Sequence, residues 1–305
     1  MFNVYKNKYK FFSISVAIML IGIIALFVNG MNVDISFKGG AIIKYTYEGK
    51  IDTALAEKIA SEHIKSSVSV QTTKDLATGQ NNLVISFPET KGISADRQLE
   101  LENALKEAFK DNSLALSRTN IVEPFIGKRF LRNGIISIII ASVLIVIYVG
   151  IRFKRISGIS AGVMGLVALL HDCLMVFFTF IIFKLPINES FIAIILTIIG
   201  YSINDTIVIY DRIRENSSKD PKAEISQLVD KSITQSFTRS LNTSITTVLS
   251  IVIMLIFAIA YGIESIIIFA LPMAVGMIAG CYSSVFIAGP LWVMWKKHTQ
   301  AKHAA

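Results

Sequence analysis

The hydrophobic pattern is dominated by long apolar runs. Residues 11–29 form the first, followed by a polar stretch of about a hundred residues. Further runs then appear at 134–151, 158–183, 190–210, 243–262 and 264–292. A helix needs about 20 mostly apolar residues to cross the hydrocarbon core of a bilayer, so the pattern predicts six spans. The first run follows Lys6, Lys8 and Lys10, as a secretory signal would. Its apolar stretch is longer than a signal core, and no small-x-small cleavage site precedes Gly30. An uncleaved anchor is the expectation.

The insert between the first two runs changes period. Residues 41–47 alternate and are β-rich, and 52–64 have helical spacing with Asp52 at the N-cap. Residues 67–72 and 82–87 read as strands joined by a turn containing Gly79 and Asn81. Residues 94–110 form a second helix capped by Ser94, and 114–121 close with a strand. The order β-α-β-β-α-β is the split arrangement of ferredoxin-like domains. Such a unit could bind a peptide at a sheet edge or serve as a folded spacer; composition does not choose between them. The segment between runs four and five begins near Pro221. Ile225, Leu228, Val229, Ile233 and Phe237 then recur at helical spacing, which predicts an amphipathic helix at about 221–238.

The expected fold class is therefore a polytopic α-helical membrane protein with six transmembrane helices and one extracytoplasmic ferredoxin-like α+β domain. The expected boundaries are a cytoplasmic N-terminus at 1–10, span one at 11–29 and the outside domain at 30–132. A five-helix region at 133–292 and a cytoplasmic tail at 293–305 complete the chain.

Composition fits this picture. Of the 305 residues, 53% are hydrophobic and 17% charged, and the mean hydropathy is +0.59. Soluble domains carry about 25% charge. The net charge of +8 raises nucleic acid as a partner, but its placement argues for topology instead. Lys6, Lys8 and Lys10, the Arg152–Arg155 turn, the 211–242 connection and Lys296, Lys297 and Lys302 all lie on alternate connections. Positive residues mark the cytoplasmic side, so both termini are expected there, with the nearly neutral insert outside. No nucleic-acid partner is expected. Cys173 and Cys281 sit in apolar runs and suggest neither a disulfide framework nor a zinc site. Hydrolase and phosphate-loop motifs are missing from the sequence, so neither an enzyme nor a cofactor is expected.

An ionised group at mid-bilayer costs about 2.5–3.5 kcal/mol on insertion scales and must be paired, protonated or wetted. Asp205 is such a group, on a helical stripe with Thr197, Tyr201 and Asn204. Poised between burial and a nearby cation, it could load and release a proton. The alternative is a hydrogen-bonded packing acid. Asp172 lies beside His171, on a stripe with Gly158, Gly162 and Gly165. Adjacent helical residues point about 100° apart, so a satisfied polar pair is favoured over a metal site. Arg239 begins the fifth span, and Asn242, Thr243, Thr246, Thr247 and Ser250 follow as a polar stripe. Spacing alone leaves open a water-lined path opposite Asp205 or ordinary packing with Arg239 snorkelling. In the sixth span Pro272, Gly276, Gly280 and Ser284 form a small-residue ridge for close helix packing.

Residues 200–216, GYSINDTIVIYDRIREN, resemble the signature of the SecD/SecF family of protein-export membrane subunits, on its SecF side. The resemblance extends to Ala168–Asp172, Arg239–Ser244 and Val122–Lys128. It implies the resistance-nodulation-division superfamily and an auxiliary role in protein translocation driven by the proton-motive force. It also implies SecD, the SecYEG channel, preproteins and YajC/YidC as partners, with Asp205 and Arg239 as the proton-relay residues. Tyr201, Asn204, Asn242, Thr243, Thr246, His171 and Asp172 would be supporting polar positions, and Gly162, Gly165, Gly276 and Gly280 packing positions. A half-size proton-driven exporter of small molecules or lipids from the same superfamily is the alternative. One departure stands out: Ser36 occupies the place where the family motif before Gly39-Gly40 has an acid, with Asp34 two residues earlier. Glu123 similarly stands where relatives have glycine.

Overall fold

The computed structural model describes residues 3–34, 37, 40–64, 66, 68–74, 80–88, 94–122 and 124–304. Side chains at 74, 120–122, 124–126, 128, 155, 264, 303 and 304 are excepted. The expected turn at Gly79, the motif positions Ser36 and Gly39, and Glu123 lie outside the described residues.

Helix α1 (Lys8–Asn29) is followed by β1 (Gly40–Tyr47), α2 (Thr53–Ile64), β2 (Ser69–Lys74), β3 (Asn81–Phe87), α3 (Ala95–Ala108) and β4 (Ala115–Val122). The strands form one sheet in the order β2-β3-β1-β4, antiparallel at every pairing. Alternation dictates the sheet's buried face, since successive strand side chains point to opposite sides. Ala41, Ile43 and Tyr45 of β1 and Leu83, Ile85 and Phe87 of β3 all point into one core. Ala56, Ala60 and Ile64 of α2 and Leu101 and Leu105 of α3 close over them. Asp52 caps α2 through its carboxylate, accepting from the Ala54 and Leu55 amides at 2.9 and 3.3 Å. Ser94 stands at the N-cap of α3, but its side chain makes no capping hydrogen bond.

The other helices are α4 (Pro124–Arg152), α5 (Gly158–Ile182), α6 (Glu189–Lys219), α7 (Ile225–Tyr261), α8 (Glu264–Ser283) and α9 (Gly289–Ala304). A five-residue π segment, Ser284–Ala288, joins the last two. Six stretches are long and apolar enough to cross a membrane. Their burial is uneven. About half of the apolar window is buried in α5, in α6 and in the run through α8, but only 11% in α1, α4 and α7. The first three make the centre and the others flank it, with α7 packed on α6 and α8. The chain is a multi-pass membrane protein.

The segment expected as a separate amphipathic helix at 221–238 is not separate from span five. Pro221 lies in the turn before α7, and the helix then runs unbroken for 37 residues from Ile225 to Tyr261. No glycine or proline lies between residues 225 and 261 to interrupt it. It stops at Gly262 in the left-handed region, φ 67°, where glycine carries no Cβ penalty. At the start of α7, Glu224 accepts from Lys297 Nζ at 2.7 Å and from Ser226 Oγ at 2.6 Å. These bonds hold its carboxyl below the usual range.

Two ties position the sheet unit's root on the helices. Asn29 Nδ2 donates to the Ile181 carbonyl at 3.1 Å. A parallel bridge pairs Val33 with Ile187, with the Ile187 amide on Asn32 O at 2.8 Å and the Asp34 amide on Ile187 O at 3.1 Å.

Small residues let the central helices touch. A Cβ on Gly276 would stand 2.6 Å from Val176 Cγ2 and 2.9 Å from Ile198, and one on Gly280 3.0 Å from Ser202 Cβ. One on Gly162 would stand 3.3 Å from the Val146 carbonyl oxygen, while Gly165 has ordinary contact distances. Overpacking a filled interior costs about 1–3 kcal/mol. Gly276→Val is therefore expected to lower the melting temperature of the purified protein in detergent clearly, and Gly165→Ala to change it little.

Candidate functional site

The centre of the helix bundle is polar. Asp172 on α5 is fully buried. Its Oδ2 accepts from Ser202 Oγ of α6 at 2.6 Å and from Ser283 Oγ of α8 at 2.8 Å, and its Oδ1 meets His171 Nδ1 at 3.0 Å. Three helices thus converge on one carboxylate. The network continues where Thr206 Oγ1 and Ser284 Oγ lie 2.9 Å apart and Ser284 donates to the Ser202 carbonyl at 3.2 Å. Ser284 opens the π segment, the kind of local widening that lets a helix present an out-of-register side chain. His171 lies stacked beside Tyr282 at 6.3 Å, and its buried Nε2 has no hydrogen-bond partner among the described residues. No group of three or more His, Cys, Asp and Glu side chains suited to a metal occurs among the described residues.

Asp205 sits one turn further along α6 and is 3% exposed. Its Oδ2 accepts from Ser244 Oγ of α7 at 3.4 Å, and the Tyr201 hydroxyl donates to the same Ser244 at 3.2 Å. Asp205 is thus held by one long hydrogen bond, where Asp172 holds three. Arg239 lies on α7 within electrostatic reach of Asp205. The two form no ion pair within 4.0 Å among the described residues.

Most of the polar stripe of α7 is left exposed. Asn242, Thr243 and Thr246 are exposed, as is Arg239, while Ser240 and Ser244 turn inward. Thr243, Thr246, Thr247 and Ser250 bond back to the carbonyls of Arg239, Asn242, Thr243 and Thr246, so their hydroxyls are satisfied within the helix itself. Thr197 does the same on α6, bonding to Ala193 O at 2.8 Å. Asn204 is exposed beside Asp205. The structure therefore brings together Asp205, Tyr201 and Ser244. It leaves Asn204, Arg239 and Asn242 on an open flank next to them.

Sequence reasoning missed Ser202, Ser244, Ser283 and Ser284 as contacts. Ser244 falls within a quoted motif, and Ser284 lies on the ridge four residues past Gly280, but neither position alone reveals its partner.

A bundle of six apolar helices built round buried acids, with a folded insert after the first, defines a polytopic membrane protein. The chain belongs to the SecD/SecF family: the family described as protein export membrane protein SecD/SecF, C-terminal, matches residues 100–298. It is 33% identical over 305 residues to the protein translocase subunit SecF of Alicyclobacillus acidocaldarius, covering 99% of this chain and 95% of that one. It is 36% identical to the protein translocase subunit SecDF of Bacillus subtilis, where the match covers 98% of this chain and 39% of the longer protein. The crystal structure of SecDF, a translocon-associated membrane protein from Thermus thermophilus, superposes with a TM-score of 0.80 at 28% identity. That match covers 97% of this chain and 39% of that one.

The satisfied carboxylate gives a stability prediction. Removing one partner of a buried hydrogen bond costs about 1–3 kcal/mol for each group left unpaired. Asp172→Ala, which strands the Ser202 hydroxyl and the His171 imidazole and leaves Ser283 only its longer bond to Gly280 O, is expected to destabilise the protein more than Asp172→Asn, which keeps an acceptor for them. Thermal unfolding of both variants in detergent would check the order.

Proposed function

We propose that this chain works as an auxiliary subunit of the Sec protein translocase, coupling the proton-motive force to preprotein movement through Asp205 and Arg239 together with SecD. The single observation that carries the reading is Asp205. It is buried at the fourth span, weakly hydrogen-bonded, and flanked by Asn204, Asn242 and Arg239, whose side chains have no hydrogen-bond partner among the described residues. Polar groups at membrane depth are costly unless covered by protein or water. A second membrane subunit would cover this flank. Relatives that carry SecD and SecF in one polypeptide support SecD as that subunit, and the SecYEG channel, the preprotein and YajC/YidC complete the proposed assembly. In that assembly Asp205 takes up a proton from one side, and its neutral form no longer attracts Arg239. The two charge states favour different placements of α6 against α7, and that shift is the mechanical output.

The lysine and arginine bias supports cytoplasmic termini, and with them an extracytoplasmic 30–132 segment. The reading of that segment as ferredoxin-like rests on the order β2-β3-β1-β4 with antiparallel pairing throughout. Its ties to the α5–α6 connection offer a route by which helix movement reaches it.

Asp205→Asn and Arg239→Gln are expected to slow preprotein export severalfold at low temperature, with the variants inserted normally and still copurifying with SecD. Export at the wild-type rate would sink the relay assignment. Copurification of a second copy of the chain in place of SecD would point to the half-size exporter. For topology, single cysteines at Lys58 and Lys302 are expected to react with an impermeant maleimide from opposite faces of sealed cells and inverted vesicles.

A further inference from the structure

Where α4 ends and α5 begins, the two helices part to leave a groove of about 560 Å³, inside the range of about 300–1,000 Å³ typical of small-molecule sites. Ile147, Ile151 and Ile159 line it and are 50%, 64% and 72% exposed. At its base the backbones touch closely: a Cβ on Gly158 would stand 2.5 Å from the Gly150 carbonyl oxygen. The mouth is different in kind. Lys154 and Ser157 line it, and Lys154 is exposed with no ion pair among the described residues. Lys296 reaches across from α9 to donate to Ser157 Oγ. Arg152 stands in the same turn and shares the single carboxylate of Asp211 with Arg214, at 3.3 and 2.7 Å. Lys154 and Lys296 therefore stand at this rim, and no acid is among the residues that line the groove. The Ser157 side chain makes no capping hydrogen bond, so the positive end of α5 adds to the same field.

An apolar groove beneath an uncompensated cationic rim has the polarity profile of one ligand class. We propose that it binds an anionic phospholipid, with acyl chain along Ile147, Ile151 and Ile159 and phosphate at Lys154 and Ser157. A zwitterionic lipid would fill the apolar part but bring an ammonium to a rim already rich in cations. A helix from another protein would cover the isoleucines and leave Lys154 unmatched. Basic pockets between membrane helices bind acidic headgroups for the same reason, at about fivefold in affinity per lysine near the surface.

The test uses the full chain, purified in detergent and examined by native mass spectrometry. The probes are phosphatidylglycerol, phosphatidylcholine with the same acyl chains, and glycerol phosphate. The expected result is one retained phosphatidylglycerol, preferred severalfold over phosphatidylcholine, and no retained glycerol phosphate. Lys154→Ala should reduce that preference about fivefold. Ile159→Trp, which fills the groove at an exposed position, should abolish retention of the bound lipid, with the melting temperature of both variants unchanged. Equal retention of the two lipids by the wild type, or a preference undiminished in Lys154→Ala, would overturn the proposal. Retention of glycerol phosphate alone would overturn it in favour of a free-anion site.

Discussion

The helical core depends on one carboxylate. Asp172 cannot reach water, so its oxygens must be answered by protein groups, and Ser202 and Ser283 on two neighbouring helices and His171 on its own helix do so. Each of those partners fixes something else. Ser202 fixes the rotation of α6 and hence where Asp205 points. Ser283 fixes the end of α8, and the π segment that follows lets Ser284 reach Thr206 and the Ser202 carbonyl. Gly280 permits this approach because its missing side chain makes room for Ser202. In a low-dielectric interior the three hydrogen bonds on Asp172 favour one arrangement, because a shift strands a donor or acceptor.

Asp172 and Asp205 therefore divide two tasks between chemically identical side chains. One is saturated with hydrogen bonds and holds the centre. The other has one long bond to Ser244 and an open flank. An acid whose partners are already committed has little to gain from a change of charge, whereas an acid with an incomplete shell can change partners. That difference in coordination separates the two buried acids here.

Much of this was legible in the sequence. All six spans, the alternating strands of the insert and the intramembrane acids follow from hydrophobicity and period, because bilayer thickness and strand pleat impose those periods directly. Asp52 was readable as a cap from position alone. The azimuth of the α7 stripe was not. Spacing shows that Asn242, Thr243 and Thr246 share a face, yet which face meets α6 is decided by packing, and Ser244 takes that role. The continuity of α7 was hidden for a related reason. A change from amphipathic to fully apolar composition looks like a boundary, but helix propagation needs only that no residue break the ladder. Ser283 and Ser284 were unreadable as partners of Asp172 and Thr206, since a serine in an apolar run gives no sign of what lies across from it.

That unbroken α7 has a mechanical meaning. At about 1.5 Å per residue, its 37 residues make a rod of about 55 Å, well beyond the roughly 30 Å of hydrocarbon it must cross. The surplus projects past the membrane at its N-terminal end, where Asn216 grips Ser232 and Gln235 at 2.8 and 2.9 Å and the Asp230 carboxylate holds the Tyr5 amide at 2.9 Å. A rod without a hinge behaves as a lever. Any tilt imposed near Ser244 sweeps the projecting arm through a larger arc, dragging the N-terminus and the end of α6 with it. A tilt at Ser244 would thus be felt, magnified, several turns away.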